Sequence, residues 1–291
     1  MLRINHRSIT LLLLVAAGAR SAGGQTLAPE LVERLRRGAA SITVPPDSAV
    51  VPLVGTRTLP LVDVLINGKG PFRLLVDLGA NVTLLRRAVF DSAGGTVLVE
   101  RASSDIVRVT ELRIGSASFR EVTLATYDEL DVDGVLGYNL LQHTSFTLDF
   151  PQQRLVLHNR TLPEPDGVRV HAFVLQGRLP YLVARVGSDS LLLNLDTGAA
   201  EEMTVPPTME DRLRWLTAPI LGRVTVNNQT GRTRVREGRL ADTLRIGSFK
   251  LASPLVFVNP AAEDSWLGAA AINRARWTFD PGQRRVQIDV P

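Results

Sequence analysis

The sequence predicts an all-β fold of two homologous halves with few short helices. Three observations carry that prediction. Apolar runs of strand length alternate with turn residues through most of the chain. Ordered sequence blocks recur at steady spacing, which marks an internal duplication. Two of the apolar runs end in an aspartate followed by a residue and a glycine: Asp77-Leu78-Gly79-Ala80 and Asp196-Thr197-Gly198-Ala199.

The chain opens on a segment that reads as a secretory signal peptide, residues 1–24. Arg3, His6 and Arg7 form a basic start. Residues 9–19 are an apolar stretch too short to span a bilayer, and Ala22-Gly23-Gly24 offers small residues for cleavage. With cleavage there, no integral membrane segment is expected. The chain has no cysteine, so neither disulfides nor a lipid-modified cysteine are available. An exported, disulfide-free protein suits a bacterial periplasm or the extracellular space. The net charge of +4, less the three arginines Arg3, Arg7 and Arg20, falls to +1. No basic cluster interleaves with aromatics, and no nucleic-acid partner is expected.

Residues 25–55 read as an N-terminal helix and linker, a possible pro-segment. Pro29 starts an amphipathic run through Leu31, Val32 and Leu35, and Gly38 closes it. Pro45-Pro46 marks residues 41–47 as a linker.

The first half is expected over 56–162. Residues 61–66 and 72–76 form strands about an Asn67-Gly68 hairpin turn, and the second strand runs into Asp77. The second half, over 163–291, repeats the arrangement. Residues 181–186 and 191–195 are strands about Gly187-Ser188-Asp189, ending at Asp196. The repetition continues. Leu112-Arg113-Ile114-Gly115-Ser116 recurs unchanged as Leu244-Arg245-Ile246-Gly247-Ser248. Val135-Leu136-Gly137 corresponds to Trp266-Leu267-Gly268, and Phe146-Thr147-Leu148-Asp149 to Trp277-Thr278-Phe279-Asp280. A short helix should follow each apolar-Gly element, at 138–142 and 269–273. Paired about a pseudo-twofold axis, the halves would bring Asp77 and Asp196 face to face. A fused pair needs no second chain, so a monomer is expected.

These motifs make the chain resemble the pepsin/retropepsin-like aspartic proteases, and in particular bacterial exported members with a retropepsin-like lobe fused twice. The carriers are Leu75-Val76-Asp77-Leu78-Gly79-Ala80 with Val135-Leu136-Gly137, and Asn194-Leu195-Asp196-Thr197-Gly198-Ala199 with Trp266-Leu267-Gly268. The resemblance implies a bilobal fold of two β-barrel-like lobes with a cleft between them. It implies an aspartic endopeptidase acting on a peptide or protein substrate, with Asp77 and Asp196 as the catalytic pair and no cofactor. Leu78, Gly79, Ala80, Thr83, Thr197, Gly198, Ala199, Gly137 and Gly268 would support the catalytic loops. Chemistry agrees: two close carboxylates cannot both ionise easily, and the pair that keeps one proton can act as base and acid together.

Position 78 departs from the pattern, being leucine where the family carries threonine or serine. A hydroxyl that normally joins the two loops is missing there. A catalytically inactive peptide-binding or scaffolding module of the same fold is therefore the alternative reading. Asp133, Asp149, Asp264 and Asp280 read as turn residues rather than extra catalytic acids. The histidines His6, His143, His158 and His171 show no metal-binding spacing, so no metal is expected. Residues 95–108 and 222–238 are the candidates for a lid over the cleft.

Overall fold

The computed structural model describes residues 7–8, 27–227 and 231–291. The expected signal peptide therefore lies outside the described residues except at 7–8. The described fold is all-β, with strands in three sheets and only short helices.

In the first lobe six strands close into a barrel. Around the ring they run Ala117–Thr126, Leu84–Leu85, Gly134–Gly137, Lys69–Asp77, Leu59–Ile66 and Ile106–Ile114, which pairs back to the first. Alternation drives it: along Leu59–Ile66 every second residue is buried, so Val62, Val64 and Ile66 point into the core. Asn67 and Gly68 both take positive φ, 51° and 76°, the geometry a tight hairpin requires.

The second lobe follows the same order but does not close. Its strand Phe249–Leu251 stops, and the chain resumes pairing only at Leu255–Val258. Glu121 in the first lobe and Ser253 in the second share a positive φ, 50° and 44°. The next residue decides the outcome. Val122 continues the first strand, whereas Pro254 has no N–H to give to a ladder.

A six-stranded sheet joins the lobes, in the order Val170–Ala172, Arg285–Asp289, Arg276–Asp280, Ser145–Asp149, Arg154–His158 and Ala49–Pro52. At its centre Phe146 lies opposite Phe279, Thr147 opposite Thr278 and Leu148 opposite Trp277. Side chains alternate across a sheet. Phe146, Phe279, Leu148 and Trp277 therefore share the inner face, fully buried, with the two phenyl rings stacked at 4.8 Å. The threonines share the outer face.

The N-terminal segment is more ordered than a linker. Ser41–Thr43 pairs with Ser118–Arg120, and Ala49–Pro52 forms an edge of the joining sheet. The helix Pro29–Arg37 precedes them and buries Leu35, with Gly38 at φ 82° ending it. Its last carbonyls are bound by side chains of the first lobe: Leu35 O by Asn139, Arg36 O by Gln142 and Arg37 O by His143. The expected short helices occur at Tyr138–Leu141 and Ala269–Ile272. The helix Arg87–Ala93 and the 3-10 turn Pro207–Arg212 had no counterpart in the sequence reading.

The stacked ring pair yields a stability prediction. Phe279→Ala leaves a cavity between the lobes and should cost about 3–5 kcal/mol in urea denaturation.

Candidate active site

Asp77 ends the strand Lys69–Asp77, whose last four residues are all buried. Its parallel neighbour Gly134–Gly137 places Gly137 beside Asp77. The second lobe repeats the pairing, with Gly268 beside Asp196. A side chain at either glycine would strike the loop: a Cβ on Gly137 would lie 2.8 Å from Val82 O, and one on Gly268 2.9 Å from Ala199 O. The loops are further held by Tyr138 N–H donating to Ala80 O (2.8 Å) and Ala269 N–H donating to Ala199 O (2.7 Å).

Each loop then turns its own amides onto its aspartate. Gly79 N–H donates to Asp77 Oδ1 at 2.8 Å. Gly198 and Ala199 N–H donate to Asp196 Oδ1 at 2.9 and 3.0 Å. Each glycine also faces the opposite carboxylate. A Cβ on Gly79 would sit 2.5 Å from Asp196 Cγ, and one on Gly198 2.6 Å from Asp77 Cγ. The structure thus brings Asp77, Asp196, Gly79 and Gly198 into one cluster across the lobe boundary.

Beneath them Thr197 bonds to the other lobe through a single oxygen. Its Oγ1 donates to Val76 O at 2.7 Å and accepts from Leu78 N–H at 3.0 Å. Thr197 is therefore not left without a partner by the leucine at position 78. The Leu78 backbone supplies the partner, while its side chain is fully buried among apolar neighbours.

Thr83 is not brought to the carboxylates. Its hydroxyl donates to Asn139 Oδ1 (2.8 Å) and accepts from Gly137 N–H (3.1 Å), so it supports the strand beside Asp77. Asn139 in turn reaches Leu35 O of the N-terminal helix at 3.1 Å. Asp149 and Asp280 accept from the amides of Gln152 and Gln283, as turn residues do. Asp133 does more than a solvated turn residue would, accepting from Arg73 N–H and pairing with Arg86.

Burial dominates the electrostatics. It raises both carboxyls, since removal from water disfavours the charged form. Asp77 is pushed up to about 6, moderated by the Gly79 amide and by a hydrogen bond with Asp196. Asp196 is raised well above the usual carboxylate range, by burial first, then by the charges of Asp77 and Glu201. Glu201 is a buried carboxylate that the sequence reading did not single out. Tyr181 is another missed neighbour: it is buried, senses the Asp196 charge and donates to Asp264 at 3.0 Å. Its only sequence mark was its place at the start of the strand paired with Asn194.

The two lid candidates are hairpins. Thr96–Val99 pairs with Ile106–Ile114, and Trp215–Asn227 with Gly231–Leu240. Residues 228–230 of the second candidate lie outside the described residues. The second hairpin exposes Leu216, Ile220 and Leu221. Among the described residues no group of three His, Cys, Asp or Glu side chains is placed to hold a metal.

A bilobal β fold with facing strand-end carboxylates is the architecture of an aspartic-protease-like protein. Residues 62–140 match the family model described as Aspartyl protease, which supports an aspartyl protease family, and the pepsin/retropepsin-like superfamily is consistent with it. No curated protein matches the chain. The family match supports a protease-like function.

Two predictions follow from this geometry. Thr197→Val orphans the Leu78 amide and the Val76 carbonyl and should lower stability by about 1–3 kcal/mol in urea denaturation. Asp77→Asn should do the opposite above pH 6. A carboxyl whose folded value is raised favours the folded state most at low pH, and that advantage is lost as pH rises through about 6. Asparagine removes the buried charge, so the variant should exceed the native protein by on the order of 2–3 kcal/mol at alkaline pH. The difference should vanish in strong acid, as read by denaturation across pH.

Proposed function

We propose that the protein is an aspartic endopeptidase in which Asp77 and Asp196 share one proton and activate water. The observation that carries this reading is the meeting of two buried carboxyls, one from each lobe, each bound by its own loop amides. The ionised member of the pair, written here as Asp77, is the base. It takes a proton from water as the water oxygen bonds to the scissile carbonyl carbon. Asp196 gives its proton to the carbonyl oxygen, leaving a neutral tetrahedral diol. On collapse the Asp77 proton goes to the amide nitrogen, the C–N bond breaks, and Asp196 recovers a proton from the diol. The products are an acid and an amine, and the pair returns to its starting state. No metal or organic cofactor takes part in this scheme.

The substrate is a peptide or protein. Export to a periplasm or the extracellular space, with residues 1–24 removed, belongs to the same proposal and rests on the sequence. So does the monomeric state.

A second reading, a peptide-binding module without catalysis, is favoured by one observation: the carboxyls are 0% and 1% exposed, above a loop that lacks one hydroxyl. The two readings separate in one experiment. The mature protein and Asp196→Asn are assayed on a mixed peptide library. Hydrolysis by the native protein alone is expected, with kcat/KM falling on the acid side of about pH 6 as Asp77 gains a proton. It should fall again at higher pH as Asp196 loses its own. Equal hydrolysis by both proteins would sink the enzyme reading. Binding without hydrolysis would establish the second.

A further inference from the structure

The outer face of the joining sheet holds a cavity of about 240 Å³, on the side away from the stacked phenyl rings. Its floor is the central strand pair. Thr147 and Thr278, opposite one another, are joined through their hydroxyls at 3.0 Å, and His158 Nε2 lies 3.0 Å from the Thr147 hydroxyl. All three side chains are buried. Arg154, Arg160 and Arg276 line the walls.

Two carboxylates, Asp149 and Asp289, also line the cavity, but both are engaged. Asp149 accepts from Arg154 Nε at 3.1 Å and from the Gln152 amide at 3.2 Å. Asp289 accepts from Arg276, Arg169 and Gln287. The arginines are not used up by these bonds, because each guanidinium carries five N–H donors. The Asp149 contact uses the Nε of Arg154, and the Asp289 contacts use the Nε and one terminal nitrogen of Arg276. Arg160 pairs with no carboxylate among the described residues. Burial, and then the charge of Arg160, hold His158 down at about 4, so the imidazole is neutral near pH 7. Three guanidiniums thus face two satisfied carboxylates around a concave polar space.

We infer that this cavity binds a small multivalent oxyanion, a phosphate or a small polycarboxylate, between the two halves of the chain. Planar guanidinium forks suit such oxygens, and charge-assisted bonds of this kind are the strong ones. Arg154 and Arg160 come from one half and Arg276 from the other. Bound anion would therefore tie the halves together on the outer face of the joining sheet. The inference does not depend on peptidase activity.

The test uses the full mature protein, titrated with sodium phosphate, with sodium citrate and with sodium chloride at matched ionic strength. Thermal unfolding and calorimetry are read together. A saturable rise in Tm with one site per chain is expected for phosphate, citrate or both, and the stronger arm identifies the oxyanion. Arg160→Gln, which breaks no ion pair among the described residues, should bind about tenfold or more weakly. Arg276→Gln should also weaken binding. Arg245→Gln, exposed on the strand Leu244–Ile246, should leave binding unchanged. Equal shifts in chloride, or unaltered binding by Arg160→Gln, would overturn the inference.

Discussion

Thr197 Oγ1 donates to one backbone group of the opposite lobe and accepts from another. That single oxygen fixes the height and separation of the two loops, and with them the distance between the carboxyls above. The bond to Leu78 is made by an amide, which every residue but proline supplies. The side chain at 78 is thereby released from hydrogen bonding and packs into the apolar core. The two lobes consequently hold their loops by different means. The first adds a polar chain from Gly137 through Thr83 and Asn139 to the N-terminal helix. In the second lobe the residue following Ala269 is Ala270, which has no such reach.

The same arrangement explains how two buried acids are tolerated. An isolated ionised carboxylate in this position would be prohibitively costly. Here the loop amides satisfy part of each group, and the proximity of the pair favours retention of a proton. Thr197 determines the spacing, the glycines permit the approach, and burial then sets the proton affinity. Glu201 adds a further charge that raises Asp196.

Much of this was legible in the sequence, because strand-ending aspartates, small loop residues and apolar-Gly strands each have a local cause. Asn67-Gly68 turns as its residues demand, and the helix from Pro29 ends at Gly38. The strands Ser41–Thr43 and Ala49–Pro52 were hidden. They are short, they flank Pro45-Pro46, and what stabilises them is pairing with strands far along the chain. Glu201 and Tyr181 were hidden for a related reason: their importance lies in who surrounds them after folding. The interruption at Pro254 had a sequence signal, but its effect appears only against the unbroken strand of the first lobe.

The joining sheet also bears on how the chain assembles. The second half contributes three of its six strands, the first half two and the N-terminal segment one, and Ser145–Asp149 finds its inner neighbour, Arg276–Asp280, only in the other half. A first half without the second would present Ser145–Asp149 as an open edge, with its unpaired backbone groups and Phe146 uncovered. Such an edge is a template for any similar strand, including that of another copy. Covalent linkage keeps the proper partner at high effective concentration and makes the correct pairing intramolecular. The polypeptide connection between the halves thus acts as a guard against exchange and aggregation.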